Sequence, residues 1–154
     1  MSEIDLSLQT MIGDSARRIF DDNINRKLLE EFESGEFCAA LWKQIVDAGF
    51  ALTLVPEQAG GVGGQWSDAA ELLSAVGAFN LPLPLAETMI GNSLLAGAGI
   101  GLPDTSKPLA ILERGSTAQL ELFEERGTFY LSGAAQSVAW ARDCDWLVVS
   151  NPMP

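Results

Sequence analysis

The chain has no histidine, and its two cysteines, Cys38 and Cys144, stand far apart among apolar neighbours without CxxC spacing. That leaves no zinc set of the usual Cys and His kind, no Ser-His or Cys-His nucleophile pair and no histidine base. No metal ligand is assigned. Glu57 and Glu87 each lie beside apolar residues, where a carboxyl pKa can rise. Glu57 belongs to a Val-Pro-Glu turn, however, and Glu87 is placed to cap or hydrogen-bond locally, so neither is assigned as a catalytic base. The acidic run Glu30, Glu31, Glu33 and Glu36 reads as a solvated face.

A second stretch has the outline of a phosphate site. Phe50 to Val55 is apolar apart from Thr53, Pro56 favours an extended predecessor, and Gly60, Gly61, Gly63 and Gly64 follow. An extended run leading into a glycine-rich loop is the expectation. No Gly-Lys-Ser/Thr follows, and the glycines do not fit GxGxxG, so the loop reads as a structural turn.

Helices must position these residues. Ile4, Leu6, Leu8, Met11, Ile12, Ala16, Ile19 and Phe20 recur at mainly helical spacing, with Asp14, Arg17 and Arg18 on the other side. Asp21 to Gly35, with Leu28, Leu29 and Phe32, reads as a partly helical connection. A helix from about Glu36 to Ala48 carries Phe37, Leu41, Ile45 and Ala48 on one stripe, widened by Trp42 and Val46, and Gly49 stops it. Ser67 is the expected N-cap of the next helix, which Asp68 and Glu71 favour and which runs to about Phe79. Pro82 and Pro84 then precede a helix from about Leu85 to Ala98, rich in small residues that allow close packing.

Beyond Lys107 the pattern shortens. Leu109 to Leu112, Ala118 to Phe123, Thr128 to Ser132 and Trp146 to Ser150 have strand length, and Glu124 to Tyr130 reads as a hairpin. The expected class is α+β, a helical domain over residues 1–106 followed by an incomplete β-domain over 107–154 that would leave sheet edges open at Asn151-Pro152-Met153-Pro154.

Composition narrows the partners. With 47% hydrophobic and 19% charged residues the chain is globular in type. A formal charge of −12 argues against nucleic acid and anionic membranes. MSEIDLSLQT lacks the basic start and apolar core of a signal peptide, and no apolar run reaches the ~18 residues of a membrane span. A cytoplasmic, reducing location is expected, with both cysteines as small buried hydrophobes.

Four pieces in order, Trp42 within its helix, Gly49-Phe50, Val55-Pro56-Glu57 and Gly60-Gly61, resemble the N-terminal helical domain of the acyl-CoA dehydrogenase family. The resemblance covers roughly the first two-thirds of the chain. Phe129-Tyr130-Leu131-Ser132-Gly133 resembles the Tyr-x-Leu-x-Gly strand that opens the family's middle β-domain, and Ala141 to Val149 its alanine-aspartate element. Where typical members carry Trp-Ile-Thr beside the flavin, this chain reads Ser137-Val138-Ala139, followed by Trp140, as in a divergent branch with members in heteromeric enzymes.

The resemblance implies FAD-dependent α,β-dehydrogenation of an acyl-CoA thioester in lipid metabolism. A proton leaves the carbon α to the thioester, and a hydride passes from the β carbon to the flavin. It implies an acyl pocket walled by the Leu85 to Gly99 helix, with Thr88, Met89, Asn92 and Leu95 as substrate-pocket residues, and flavin contact at Ser137, Val138, Ala139 and Trp140. The Trp140 ring is suited equally to an isoalloxazine face and to a core. The family's Thr-Glu-Pro and Gly-Ser-Asp loop is not found between Leu109 and Phe123, and its C-terminal helical domain, with the catalytic carboxylate, has no counterpart in the sequence. The expectation is part of an oligomeric flavoenzyme, inactive alone. The resemblance implies a homo- or hetero-oligomer with acyl-CoA dehydrogenase-like subunits, and the alternative is a non-catalytic subunit or binding module of a heteromeric acyl-CoA dehydrogenase-like complex.

Overall fold

The computed structural model describes residues 3–113 and 118–150. The side chains of Ile4, Leu6 and Leu8, and the terminal Asn151-Pro152-Met153-Pro154, lie outside what is described. Helix α1 (Glu3–Asn23) buries Ala16 and Phe20 and packs Ile12 and Ile19 against the same core. It lies along α4 (Trp66–Ala78), which contributes Ala69, Leu72 and Ala75. Phe20 meets Phe79 edge-on at 6.1 Å. Arg17 of α1 reaches Glu71 of α4 at 3.2 Å, an exposed pair worth little beside the buried apolar contacts.

Within the expected connection, α2 (Arg26–Glu33) is a short helix capped by Asn25, whose Oδ1 accepts from the Leu28 N–H at 3.1 Å. Helix α3 (Ala39–Asp47) follows and buries Leu41, Trp42 and Ile45. Gly49 closes it at φ 75°, a left-handed position that glycine takes without a Cβ penalty.

The extended run expected from Phe50 to Val55 is instead coiled. Phe50–Leu52 is a 3-10 turn, and the N–H groups of Leu52, Thr53 and Val55 reach carbonyls three residues back. Phe50, Ala51, Thr53, Leu54 and Val55 are all buried. A short run buried at all but Leu52 has no period to separate strand from coil, so its apolar character misleads.

The glycine loop is structural, as expected. The N–H groups of Gly61, Val62, Gly63 and Gly64 donate to Pro56, Leu52, Val55 and Thr53 carbonyls at 2.8 to 3.1 Å. None of these four donors is left for a phosphate. At Gly61 a Cβ would collide with the Val55 carbonyl and side chain, so the close approach excludes any other residue.

Helix α4 starts one residue after Gln65, not after the expected Ser67. Asp68, only 4% exposed, accepts the Gln65 N–H at 2.7 Å and closes the first turn from inside. The carboxylate three residues on, rather than the serine hydroxyl, fixes the boundary.

Helix α5 (Leu85–Gly97) packs on the Phe50–Leu52 turn and on β1 (Leu109–Glu113). A Cβ on Gly91 would strike the Leu109 side chain, so the small residue there lets helix and strand approach. β1 pairs in parallel with β4 (Trp146–Ser150), Leu109 opposite Trp146. Between them β2 (Ala118–Glu125) and β3 (Thr128–Ala135) form the expected antiparallel hairpin, Glu125 opposite Thr128. Its turn residues Arg126 and Gly127 have φ of 54° and 81°, the left-handed pair that suits the strand twist of a two-residue loop. Among the described residues no helix is long and apolar enough to cross a membrane.

Gly61→Ala is expected to lower stability by about 2 kcal/mol or more, through overpacking against backbone. Gly60→Ala, with nothing within 4 Å of its Cβ but φ of 85°, should cost about 1 kcal/mol. Urea midpoints of the two variants test the order.

Candidate functional site

Helix α5 presents two faces. Inward, the Thr88 hydroxyl accepts from the Leu109 N–H at 3.1 Å and donates to the Leu109 carbonyl at 3.2 Å. Asn92 Nδ2 donates to the Ala51 carbonyl at 3.2 Å, and its buried Oδ1 has no partner among the described residues. Met89 is fully buried in the core. Of the four residues singled out for a substrate pocket, Thr88, Met89 and Asn92 therefore meet protein, not solvent. Leu95 lines an open apolar cavity of about 410 Å³ with Gly101, Pro103 and Trp146 to Val149 of β4.

Outward, α5 carries Ala86, Ile90 and Leu94 at four-residue spacing, the first two half-buried and Leu94 50% exposed. Like Leu95, these apolar side chains are not fully buried, and a ligand can reach them. Periodicity could not single them out, because α5 is apolar on nearly every side and such a helix has no contrasting face.

Ser137, Val138, Ala139 and Trp140 form one bend between β3 and β4. Ser137 and Ala139 are exposed, while Val138 and Trp140 are half-buried. Ser137 and Trp140 both have left-handed backbone, φ 57° and 62°. The Trp140 ring packs on Phe32 of α2, with centroids 5.9 Å apart and planes at 42°. Among the described residues, the four N–H groups of this bend have no hydrogen-bond partner. The segment fits a flavin through these backbone donors, which suit the polar edge of an isoalloxazine; the Trp140 ring has one neighbour already in Phe32, and Ala139 brings no hydroxyl.

Glu57 is exposed beside the glycine loop, and Glu87 is half-buried in the first turn of α5. Glu87 lies close enough to Cys144 to act on it. Burial foremost, then the carboxylates of Asp143, Glu87 and Asp145, push the Cys144 thiol up to about 11. Burial, with Glu31, also raises the Cys38 thiol. Both cysteines are free, and among the described residues no group of His, Cys, Asp and Glu is placed to hold a metal ion.

Comparison with known proteins matches this architecture. Residues 7–100 match the family described as acyl-CoA dehydrogenase, N-terminal domain. The chain belongs to the acyl-CoA dehydrogenase family: it carries that helical N-terminal domain and the strands that begin the β-domain. A curated relative, acyl-CoA dehydrogenase IpdE2 of Mycolicibacterium smegmatis, is 29% identical over 108 residues, which is 70% of this chain and 32% of the relative. A solved structure, the Tcur3481-Tcur3483 steroid ACAD G363A variant, superposes with a TM-score of 0.72 at 25% identity over 92% of this chain and 44% of that one. The chain thus spans about a third of the curated relative and under half of the solved one.

Thr88→Val removes the hydroxyl from a buried backbone pair and should destabilise by about 1–3 kcal/mol, measured by thermal or urea unfolding. The thiolate is the reactive form, so with its pKa raised from 9.0 to about 11 Cys144 should react with iodoacetamide at pH 8 roughly a hundredfold more slowly than an unperturbed cysteine. Its neutral thiol also favours the folded state up to about pH 9, an advantage lost as pH rises through about 11. Peptide mapping of alkylation against pH reads the shift directly.

Proposed function

We propose that this chain supplies one wall of the acyl pocket, and part of the flavin site, in an FAD-dependent enzyme that dehydrogenates an acyl-CoA thioester between its α and β carbons. The observation that carries this reading is the partly exposed apolar stripe Ala86, Ile90 and Leu94 on α5, within the family's helical domain. In this reading Ile90 and Leu94 hold the apolar body of the acyl group and exclude water beside it. The N–H groups of Ser137 to Trp140 orient the flavin, which when bound accepts the hydride. No catalytic base is assigned to the described residues. The small Ala86 beside Ile90 leaves room for a bulky acyl group, and a steroid-type substrate is named for the solved neighbour.

The setting is cytoplasmic lipid metabolism, with a division into a helical domain over residues 1–106 and a β-domain portion over 107–154. The enzyme is oligomeric, homomeric or with acyl-CoA dehydrogenase-like subunits. A second reading, a non-catalytic subunit of a heteromeric enzyme, is favoured by Ala139 standing where typical relatives place a threonine, and the solved neighbour's name joins two designations.

Incubation with excess FAD, gel filtration and a visible spectrum test the first reading. Retained flavin whose absorption band shifts on acyl-CoA titration supports the first, and Leu94→Glu should then abolish that shift while leaving the flavin bound. A flavin-free eluate sinks autonomous flavin binding, and the same titration is then run with an acyl-CoA dehydrogenase-like subunit added.

A further inference from the structure

The bend that carries Ser137 to Trp140 holds two non-glycine residues in left-handed backbone, at φ 57° and 62°. Such conformations are unfavourable for side chains with a Cβ and persist where the surroundings over-determine them. Trp140 has few restraints within its own segment: its carbonyl accepts from the Asp143 N–H at 2.9 Å, and the Val138 carbonyl accepts from the Ala141 N–H at 3.4 Å. The remaining restraint comes from the helical part. The Phe32 ring of α2 meets the Trp140 ring at 5.9 Å, and two residues further on Arg142 reaches over Gly35, where a Cβ would lie 3.4 Å from its Nη2.

We infer that Phe32 is a positioning residue: its ring holds Trp140 in the left-handed conformation, and so keeps the unpartnered N–H groups of residues 137–140 presented to a ligand. The ligand half of this inference rests on the reading that the bend meets a flavin; the conformational half does not. Phe32 itself touches neither flavin nor substrate. Helix α2 suits the task because it contributes no buried residue to the core, so its aromatic side chain is spent on the bend rather than on stability.

Four variants test this: Phe32→Ala, Phe32→Tyr, Trp140→Gly, and the pair Phe32→Ala with Trp140→Gly. The readouts are the far-UV circular dichroism spectrum, the Trp140 indole N–H resonance, the amide resonances of residues 137–140, and flavin retention on the full chain. Phe32→Ala should leave the far-UV spectrum unchanged, move the indole and amide resonances, and weaken flavin binding about tenfold, the size of one left-handed penalty. Phe32→Tyr, which keeps a ring, should restore both. Because glycine takes φ near 60° freely, Phe32→Ala should have no further effect on the amides in the Trp140→Gly background. Unchanged 137–140 resonances in Phe32→Ala would overturn the inference, as would an equal effect of Phe32→Ala in both backgrounds. If the unaltered chain retains no flavin, autonomous flavin binding falls, and the resonances still decide whether Phe32 sets the bend.

Discussion

The contact between α5 and β1 is the constraint on which the two parts of the molecule depend. The Thr88 hydroxyl satisfies both the N–H and the carbonyl of Leu109, and Gly91 lets the Leu109 side chain close against the helix. Both polar groups are buried, where a backbone donor or acceptor without a partner is costly. With Leu109 so fixed, β1 has its register, and β4 pairs alongside it from Trp146 to Ser150. On its other flank α5 is tied by Asn92 to the Ala51 carbonyl in the turn after α3. One helix thus joins the core of the helical part to the first strand, and its outward stripe is held in place by the inward contacts.

A second tie runs parallel to the first. Trp42 Nε1 donates to the Ser106 carbonyl at 2.9 Å, from the buried face of α3 to the segment that leads into β1. The Asp145 N–H donates to the Pro108 carbonyl at 3.2 Å, just before β4. The connection from β3 to β4 is therefore anchored at its end by β1 and near its middle by α2. Trp140, the residue that meets α2, and Ser137 both have left-handed backbone in this connection.

Local chemistry made much of this legible before any fold was known. Helical spacing located α1, α3, α4 and α5, because each has either one apolar stripe or a clear stop such as Gly49. The hairpin was legible from Glu125-Arg126-Gly127, a turn signal between two apolar runs. The glycine loop was legible as structure because it lacks the lysine and hydroxyl that phosphate binding needs. Two local readings failed for a shared reason. Phe50 to Val55 is buried at every position but Leu52 and so has no period, and Ser67 has the right chemistry for a cap but Asp68 is the residue that turns inward.

The candidate site divides in the same way. Residue types alone excluded histidine and zinc chemistry, set the charge at −12 and ordered the motifs that resemble an acyl-CoA dehydrogenase, because composition and spacing are properties of the chain itself. Which side of α5 faces a ligand was decided only by tertiary structure, since a helix apolar all round turns whichever face finds the better partner, and Thr88 found Leu109. The parallel pairing of β1 with β4 across the hairpin, and the meeting of Phe32 with Trp140, were likewise tertiary outcomes. Each joins residues far apart in sequence, and no local preference of either partner specifies the other.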